Sequence, residues 1–398
     1  MKPDFQATKS LFDLPANTIY LDGNSLGPPT KKMSKKVGKF IKQKWAKLLI
    51  KGWNEDDWIH KPKSIGNQIA KLIGAEENSV VVGDTLSIKT YQALFAAIQL
   101  HPNRRIILTD IGNFPSDLYV AQGLLGSIHP NYKLRLVEPT NILNALSDEV
   151  AVLFLTEVDF KTGRKHDMQR ITEKAKKLGI ITIWDLAHST GVIPIHLKKF
   201  NVDFAVGCTY KYLNGGPGSP GFLYVARAHQ NRIENPIKGW LGHSSPFSFE
   251  SQYRGASGIN KMQIGTPPII SSRALEISLK IFDEIEISHI RKKSIELTEL
   301  FIDRINKNCP ALELVSPREA RFRGAHLAYR FEEGYAVIQC LIESGVIGDF
   351  RAPNLMRFGF NPLFIDKNDV LKASAILTDI VTKQKWNRKD LKYKSYVT

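Results

Sequence analysis

Between residues 80 and 225 short apolar runs alternate with segments of helical periodicity, and this alternation leaves few architectures open. Val80 to Val82, Arg104 to Asp110, Lys133 to Glu138, Val150 to Thr156, Ile180 to Asp185, Val202 to Cys208 and Gly221 to Val225 read as strands. Several are apolar on both faces, as strands are when helices cover both sides of a sheet. The fold class expected is α/β, a mostly parallel sheet covered by helices. An irregular stretch to Pro268 is followed by helical periodicity from Ile269 to Lys307. Strand-like Ala325 to Phe331 and Leu355 to Phe358, with helices near Tyr335 to Glu343 and Asp366 to Lys383, then predict a smaller α+β domain. The lysine-rich end, Lys383 to Lys394, reads as a soluble tail.

At 398 residues the chain has room for both parts. A composition 43% hydrophobic and 24% charged is globular. No apolar run approaches a membrane span, and Met1 to Phe5 carries no apolar signal core, so a cytoplasmic protein is expected. Cys208, Cys309 and Cys340 form no CxxC and no metal spacing. The net charge of +16 raises nucleic-acid or anionic-membrane binding. Much of it lies on a helix expected from Thr30 to Lys51, where Met33, Val37, Phe40, Ile41, Trp45, Leu48 and Leu49 recur at helical spacing among lysines. A solvated face on a packed helix is the expectation there, with neither nucleic acid nor membrane as partner.

One motif is discarded. Gly216 to Gly221 matches GxGxxG but precedes a strand and contains two prolines, whereas the dinucleotide fingerprint opens a helix. The informative set is different. Lys211 follows an apolar run and enters a glycine-rich turn, and Asp185 ends another apolar strand, where a carboxylate needs a cation or donor. A pyridine aldehyde cofactor requires a lysine to bond its aldehyde, a carboxylate at its ring nitrogen, an anion cradle and a stacking group. Lys211 and Asp185 meet the first two needs, the helix start Thr85-Leu86-Ser87 the third, and Phe114 or His188 the fourth.

The motifs YLDGNSLG (Tyr20 to Gly27), FPSD (Phe114 to Asp117), DLAH (Asp185 to His188), YKYLNGGPG (Tyr210 to Gly218), GWLGH (Gly239 to His243) and the Thr266-Pro267-Pro268 turn together resemble the kynureninase family. The resemblance runs over nearly the whole chain. It implies the fold type I, aspartate-aminotransferase-like architecture of pyridoxal-phosphate (PLP)-dependent transferases. Residues 1–60 would form an N-terminal segment packing with the small domain, 61–285 the large cofactor domain and 286–398 the small domain. It implies pyridoxal 5'-phosphate as cofactor, hydrolysis of L-kynurenine to anthranilate and L-alanine in tryptophan catabolism, and a homodimer with shared sites.

By the same resemblance Lys211 would hold the cofactor, Asp185 its ring nitrogen, and Phe114 would stack on it. Leu86, Ser87, Tyr210, Trp240 and the neighbouring subunit's Thr266 would contact the phosphate, with Asp117, Thr156 and His188 as further cofactor contacts. Arg357 would grip the substrate carboxylate, with Ser25 and Trp53 lining the pocket. Tyr210 is also the candidate acid. Animal members carry histidine in place of Trp53 and asparagine in place of Thr266, which tilts the expected substrate toward kynurenine over 3-hydroxykynurenine. Other enzymes of the fold, desulfurases and transaminases, would share DLAH and the lysine. Outside enzymes, the charge leaves a basic nucleic-acid-binding protein as the last alternative.

Overall fold

The computed structural model describes residues 4–128 and 131–392. Met1 to Pro3 and Tyr393 to Lys394, parts of the two termini read above, lie outside the described residues. Seven strands form the main sheet, in the spatial order Val80–Val82, Phe222–Val225, Phe204–Gly207, Ile181–Asp185, Val150–Thr156, Ile106–Asp110 and Lys133–Val137. Five pair in parallel register from Phe204–Gly207 to Lys133–Val137, and Phe222–Val225 runs antiparallel to both its neighbours. The α/β class with a mostly parallel sheet is therefore observed.

The physical reason is visible strand by strand. All seven residues of Val150–Thr156 are buried, as are all of Ile181–Asp185, Phe204–Gly207 and Phe222–Val225. Successive side chains enter opposite cores. Phe154, Ile183 and Val206 pack with Ala93, Leu94 and Ala97 of the helix Leu86–Gln99. Leu153, Trp184 and Ala205 pack on the other side with Ile65 and Ile69 of Lys61–Leu72 and Ile171 of Met168–Lys177. Only the edge strand Lys133–Val137 is half-exposed.

A second sheet of four antiparallel strands follows, in the order Asp349–Arg351, Leu355–Gly359, His326–Arg330 and Glu313–Leu314. Helices Ile287–Asn308, Gly334–Glu343 and Lys367–Thr382 pack with it, the last begun by a capping box between Asp366 and Asp369. The N-terminal segment joins this part. Ile19–Tyr20 pairs in parallel with Val346–Ile347, Lys9 bridges Asp366 at 2.8 Å, and Phe12 meets Phe364 at 5.1 Å between ring centroids.

Two local expectations are corrected. The helix expected from Thr30 to Lys51 is regular only over Lys31–Phe40, widens over Ile41–Trp45 and breaks at Leu49, whose φ is +52°. Met33 and Phe40 are buried, but Ile41, Trp45 and Leu49 are exposed, so the apolar stripe outruns the core that this chain provides. The soluble tail is also wrong as far as it is described. Trp386 packs on Phe331 at 5.8 Å, Leu391 is buried, and Arg388 holds Glu343 at 2.8 and 2.9 Å, so apolar contacts return this segment to the small sheet.

Candidate active site

The parallel strands end side by side at Asp110, Thr156, Asp185 and Gly207, the edge at which open α/β sheets bind ligands. From Gly207 the chain continues through Cys208-Thr209-Tyr210 to Lys211 and turns. Thr209 Oγ1 bonds Ser219 Oγ and the Pro220 carbonyl, both at 2.6 Å, while Gly215 N–H returns to the Thr209 carbonyl at 2.9 Å. Asn214 takes a left-handed conformation, φ +53°, to make the turn. Against it lies the loop after Tyr20, whose Gly27 N–H donates to the Tyr210 carbonyl at 2.7 Å. A Cβ on Gly27 would stand 2.2 Å from the Lys211 carbonyl oxygen, so only glycine permits this approach.

Lys211 Nζ lies 3.1 Å from His188 Nε2 and 5.8 Å from the centre of the Tyr210 ring. His188 is buried. Burial first, then the Lys211 charge, hold its imidazole well below the ordinary range, so it accepts as a neutral ring. Beneath them Asp185 and Asp117 are buried together. Asp185 takes the Ala187 N–H at 2.8 Å and reaches Thr156 Oγ1 at 3.5 Å, and Thr156 also bonds Asn113. Burial, then the Asp185 charge, push Asp117 well above the carboxylate range. Asp185 is raised too, by burial that the nearby Lys211 only partly offsets.

A cavity of about 290 Å³ opens beside this pair, lined among others by Thr85, Leu86, Ser87, Phe114, Asp117 and Tyr210. Thr85 caps the helix Leu86–Gln99, whose first amides have no intrahelical acceptor. Gly221 packs on this helix start, where a Cβ would stand 2.8 Å from the Leu86 nitrogen. Phe114 is 39% exposed and meets Phe160 edge-on at 5.0 Å. Cys208 first, then burial, raise the Tyr210 phenol far above its usual range, so it remains a proton donor.

The residues expected on the substrate side border this set. Arg357 is buried, its Nε bonded to Asp349 Oδ1 at 2.7 Å and its Nη2 to Ser25 Oγ at 3.0 Å. Its Nη1 bonds the carbonyl of Phe160, the residue that touches Phe114. The structure thus gathers Thr85, Leu86, Ser87, Phe114, Asp117, Thr156, Asp185, His188, Tyr210 and Lys211, with Arg357 and Ser25 at the border. Trp53 and Trp240 are elsewhere. They meet at 5.5 Å, with Phe247 6.3 Å from Trp53, in an open pocket that Ile50 and Phe249 also line. Thr266 is exposed on its loop.

Sequence reasoning missed Asn113, which holds Thr156; Asp349, which holds Arg357; and His326, whose ring lies 5.6 Å from His188. Asn113 lies one residue before the FPSD motif. The other two sit in strands where nothing local distinguishes them. All three cysteines are free and buried.

Over 394 residues the chain is 42% identical to the kynureninase of Pseudomonas fluorescens, covering 97% of this chain and 95% of that one. It belongs to the kynureninase family. The kynureninase of Burkholderia mallei (strain SAVP1) is 40% identical over the same coverage, and the family's C-terminal domain profile matches residues 290–377. Solved structures place this kynureninase-family chain in the fold type I class. A cysteine desulfurase from Thermococcus onnurineus NA1 superposes with a TM-score of 0.80 at 15% identity, covering 95% of this chain and 98% of that one. A C-DES mutant with glycine covalently linked to its PLP cofactor gives 0.78 at 15% identity, covering 95% and 99%.

Proposed function

We propose that this chain hydrolyses L-kynurenine to anthranilate and L-alanine with pyridoxal 5'-phosphate as cofactor. The observation that carries the reading is the convergence of Lys211, the buried Asp185–Asp117 pair and the Thr85–Ser87 helix start at one set of strand ends, in a chain of this family. The residues present fit the cofactor. Two raised carboxylates buried beside Lys211 favour a second cation, and Asp185 would hold a protonated ring nitrogen in that place. The helix start and the Gly221 approach make a cradle for a phosphate. Phe114 offers a ring face beside it.

When bound, the cofactor supplies an electron sink for cleavage at the substrate's carbon skeleton. Lys211 would hold the cofactor by its Nζ, and the same amine, when free, would take the proton from the substrate's α-carbon. Neutral His188 accepts a hydrogen bond from that amine without competing for its proton. Arg357 binds the substrate carboxylate, with Ser25 beside it. As water adds to the γ-carbonyl and the Cβ–Cγ bond breaks, the Tyr210 phenol donates the proton that completes alanine at the β-carbon. A Tyr210→Phe enzyme that binds cofactor and keeps full turnover would remove that role.

Trp53, Trp240 and Thr266 act in this reading through a homodimer, each chain's open aromatic pocket completing the other's site. Phe249 at 79% and Ile50 at 76% exposure support a covered surface there. An indole at position 53 favours the unhydroxylated ring. The test is direct: L-kynurenine added to the cofactor-loaded protein gives anthranilate fluorescence. No anthranilate, with the cofactor demonstrably bound, would overturn the reaction.

A further inference from the structure

The short strand Asp349–Arg351 pairs antiparallel with Leu355–Gly359, setting Asp349 opposite Arg357. Asp349 and Arg351 are two residues apart in the strand, so Arg351, Asp349 and Arg357 share one face of the sheet. Asp349 is the hub. Its Oδ1 accepts from Arg357 Nε at 2.7 Å and its Oδ2 from Arg357 Nη2 and from Ser25 Oγ at 2.8 Å, while Arg351 Nη2 forms an ion pair with Oδ2 at 2.8 Å. Burial would raise this carboxyl, yet the Arg357 bonds and charge hold it below its ordinary value, so it is ionised.

A guanidinium has five N–H donors. Arg357 commits two to Asp349, one to Ser25 and one to the Phe160 carbonyl. One hydrogen remains, and a two-pronged grip on a carboxylate needs two. Arg351 is the opposite case. Only its Nη2 meets Asp349, its Nε is buried without a partner among the described residues, and its side chain is 39% exposed. One carboxylate divided between two guanidiniums leaves positive charge over. Asp22 stands near but is pushed up to about 7 by burial and by Asp349, so it cancels little of that charge below neutral pH. After burial and the charges of Lys211 and His326, both guanidinium charges also help to hold down the basicity of His188, the partner of Lys211 Nζ.

We propose that Arg351 is a second carboxylate-binding residue, clamping the substrate's α-carboxylate together with Arg357, and that Asp349 positions both guanidiniums side by side. The clamp rests on the reaction proposed above. It assigns the shortfall in Arg357 donors to a neighbour that has donors to give.

The test compares two ligands on the cofactor-loaded enzyme: L-kynurenine, and the amine made by removing its carboxylate. Arg351→Gln raises KM for L-kynurenine roughly 10- to 100-fold, the scale of a lost charged hydrogen-bond partner, with kcat changed much less. Affinity for the decarboxylated amine, read from the cofactor's absorption, stays at the wild-type value. Arg351→Lys recovers part of the loss. Asp349→Asn, which releases both guanidiniums, weakens L-kynurenine and spares the amine in the same way. Should Arg351→Gln fail to fold or load cofactor, Arg351→Lys carries the comparison through a smaller rise in KM. Wild-type discrimination between the two ligands in the Arg351 variants, with Arg357→Gln losing it, overturns the clamp. A loaded wild-type enzyme that neither cleaves L-kynurenine nor binds L-alanine overturns instead the reaction on which the clamp rests.

Discussion

The Lys211 neighbourhood and the Trp53–Trp240 pocket use similar materials, aromatic rings beside polar groups, and differ in who encloses them. Around Lys211 one chain supplies the walls: Asp117, Asp185, His188 and His326 are all buried, and the Gly27 loop presses on the lysine turn from outside. At the aromatic pocket Trp53, Trp58, Trp240, Phe247 and Phe249 touch edge to edge, yet Phe247 is 53% and Phe249 79% exposed. Enclosed groups have perturbed protonation and fixed geometry. Open ones have surface to lose. The first region is ready to act on a ligand, and the second is ready to meet a surface.

The largest effect expected is in the enclosed region. Lys211→Ala lowers turnover by on the order of a thousandfold or more and removes the absorption band that reports the bond between cofactor and lysine, both measured on purified protein. Next comes Gly27→Ala. Its Cβ collides with backbone at Lys211 and Asn214, so the N-terminal loop or the lysine turn must move, at about 3 kcal/mol of stability. Chemical denaturation checks this, and an unchanged midpoint with full activity would mean that the two loops are not locked together.

The open region is probed by Trp240→Ala. In the homodimer proposed above, removing a ring from the centre of the patch would weaken self-association by about 2 kcal/mol, read by sedimentation over a dilution series, while the thermal stability of the dissociated chain would shift little. Equal loss in both would place Trp240 with the enclosed groups. The smallest effect is on a titration. Burial, then Arg357, push His326 down to about 3, against roughly 6.5 in an unfolded chain. Between those values the unfolded state binds the extra proton, so stability falls as pH drops below about 6.5. His326→Gln removes that dependence, sparing about 1 kcal/mol between pH 6.5 and 5.5.

The sheet was legible because its strands are apolar on both faces, a pattern that only a doubly covered sheet satisfies. Asp185 and Lys211 were legible for the converse reason: a charge at the end of an apolar strand needs a partner, and the chain offered a consistent one. The placement of Trp53 and Trp240 was not legible, because both lie in single helical turns, Gly52–Glu55 and Trp240–Gly242, whose position is set by tertiary contacts such as Gly239 against Ile264. Asp349 and Arg351 escaped because alternation over three residues is too short to register as a strand. The helix from Thr30 was overextended because its apolar spacing continues past the point where this chain has anything to pack on it. That surplus was itself the sign of the open patch.

The pairing of Ser25 with Arg357 has a consequence in time. The two residues are 332 positions apart, and chains emerge from the ribosome N-terminus first. The strand that carries Asp185 and the turn that carries Lys211 are complete while the small sheet is still unmade. Ser25 and the segment Ile19–Tyr20, among the first residues synthesised, must wait for Val346–Ile347 and Arg357, among the last. On the reading proposed above, a nascent chain would acquire the means to hold a cofactor before the means to select a substrate, and it would not act on an amino acid until almost finished.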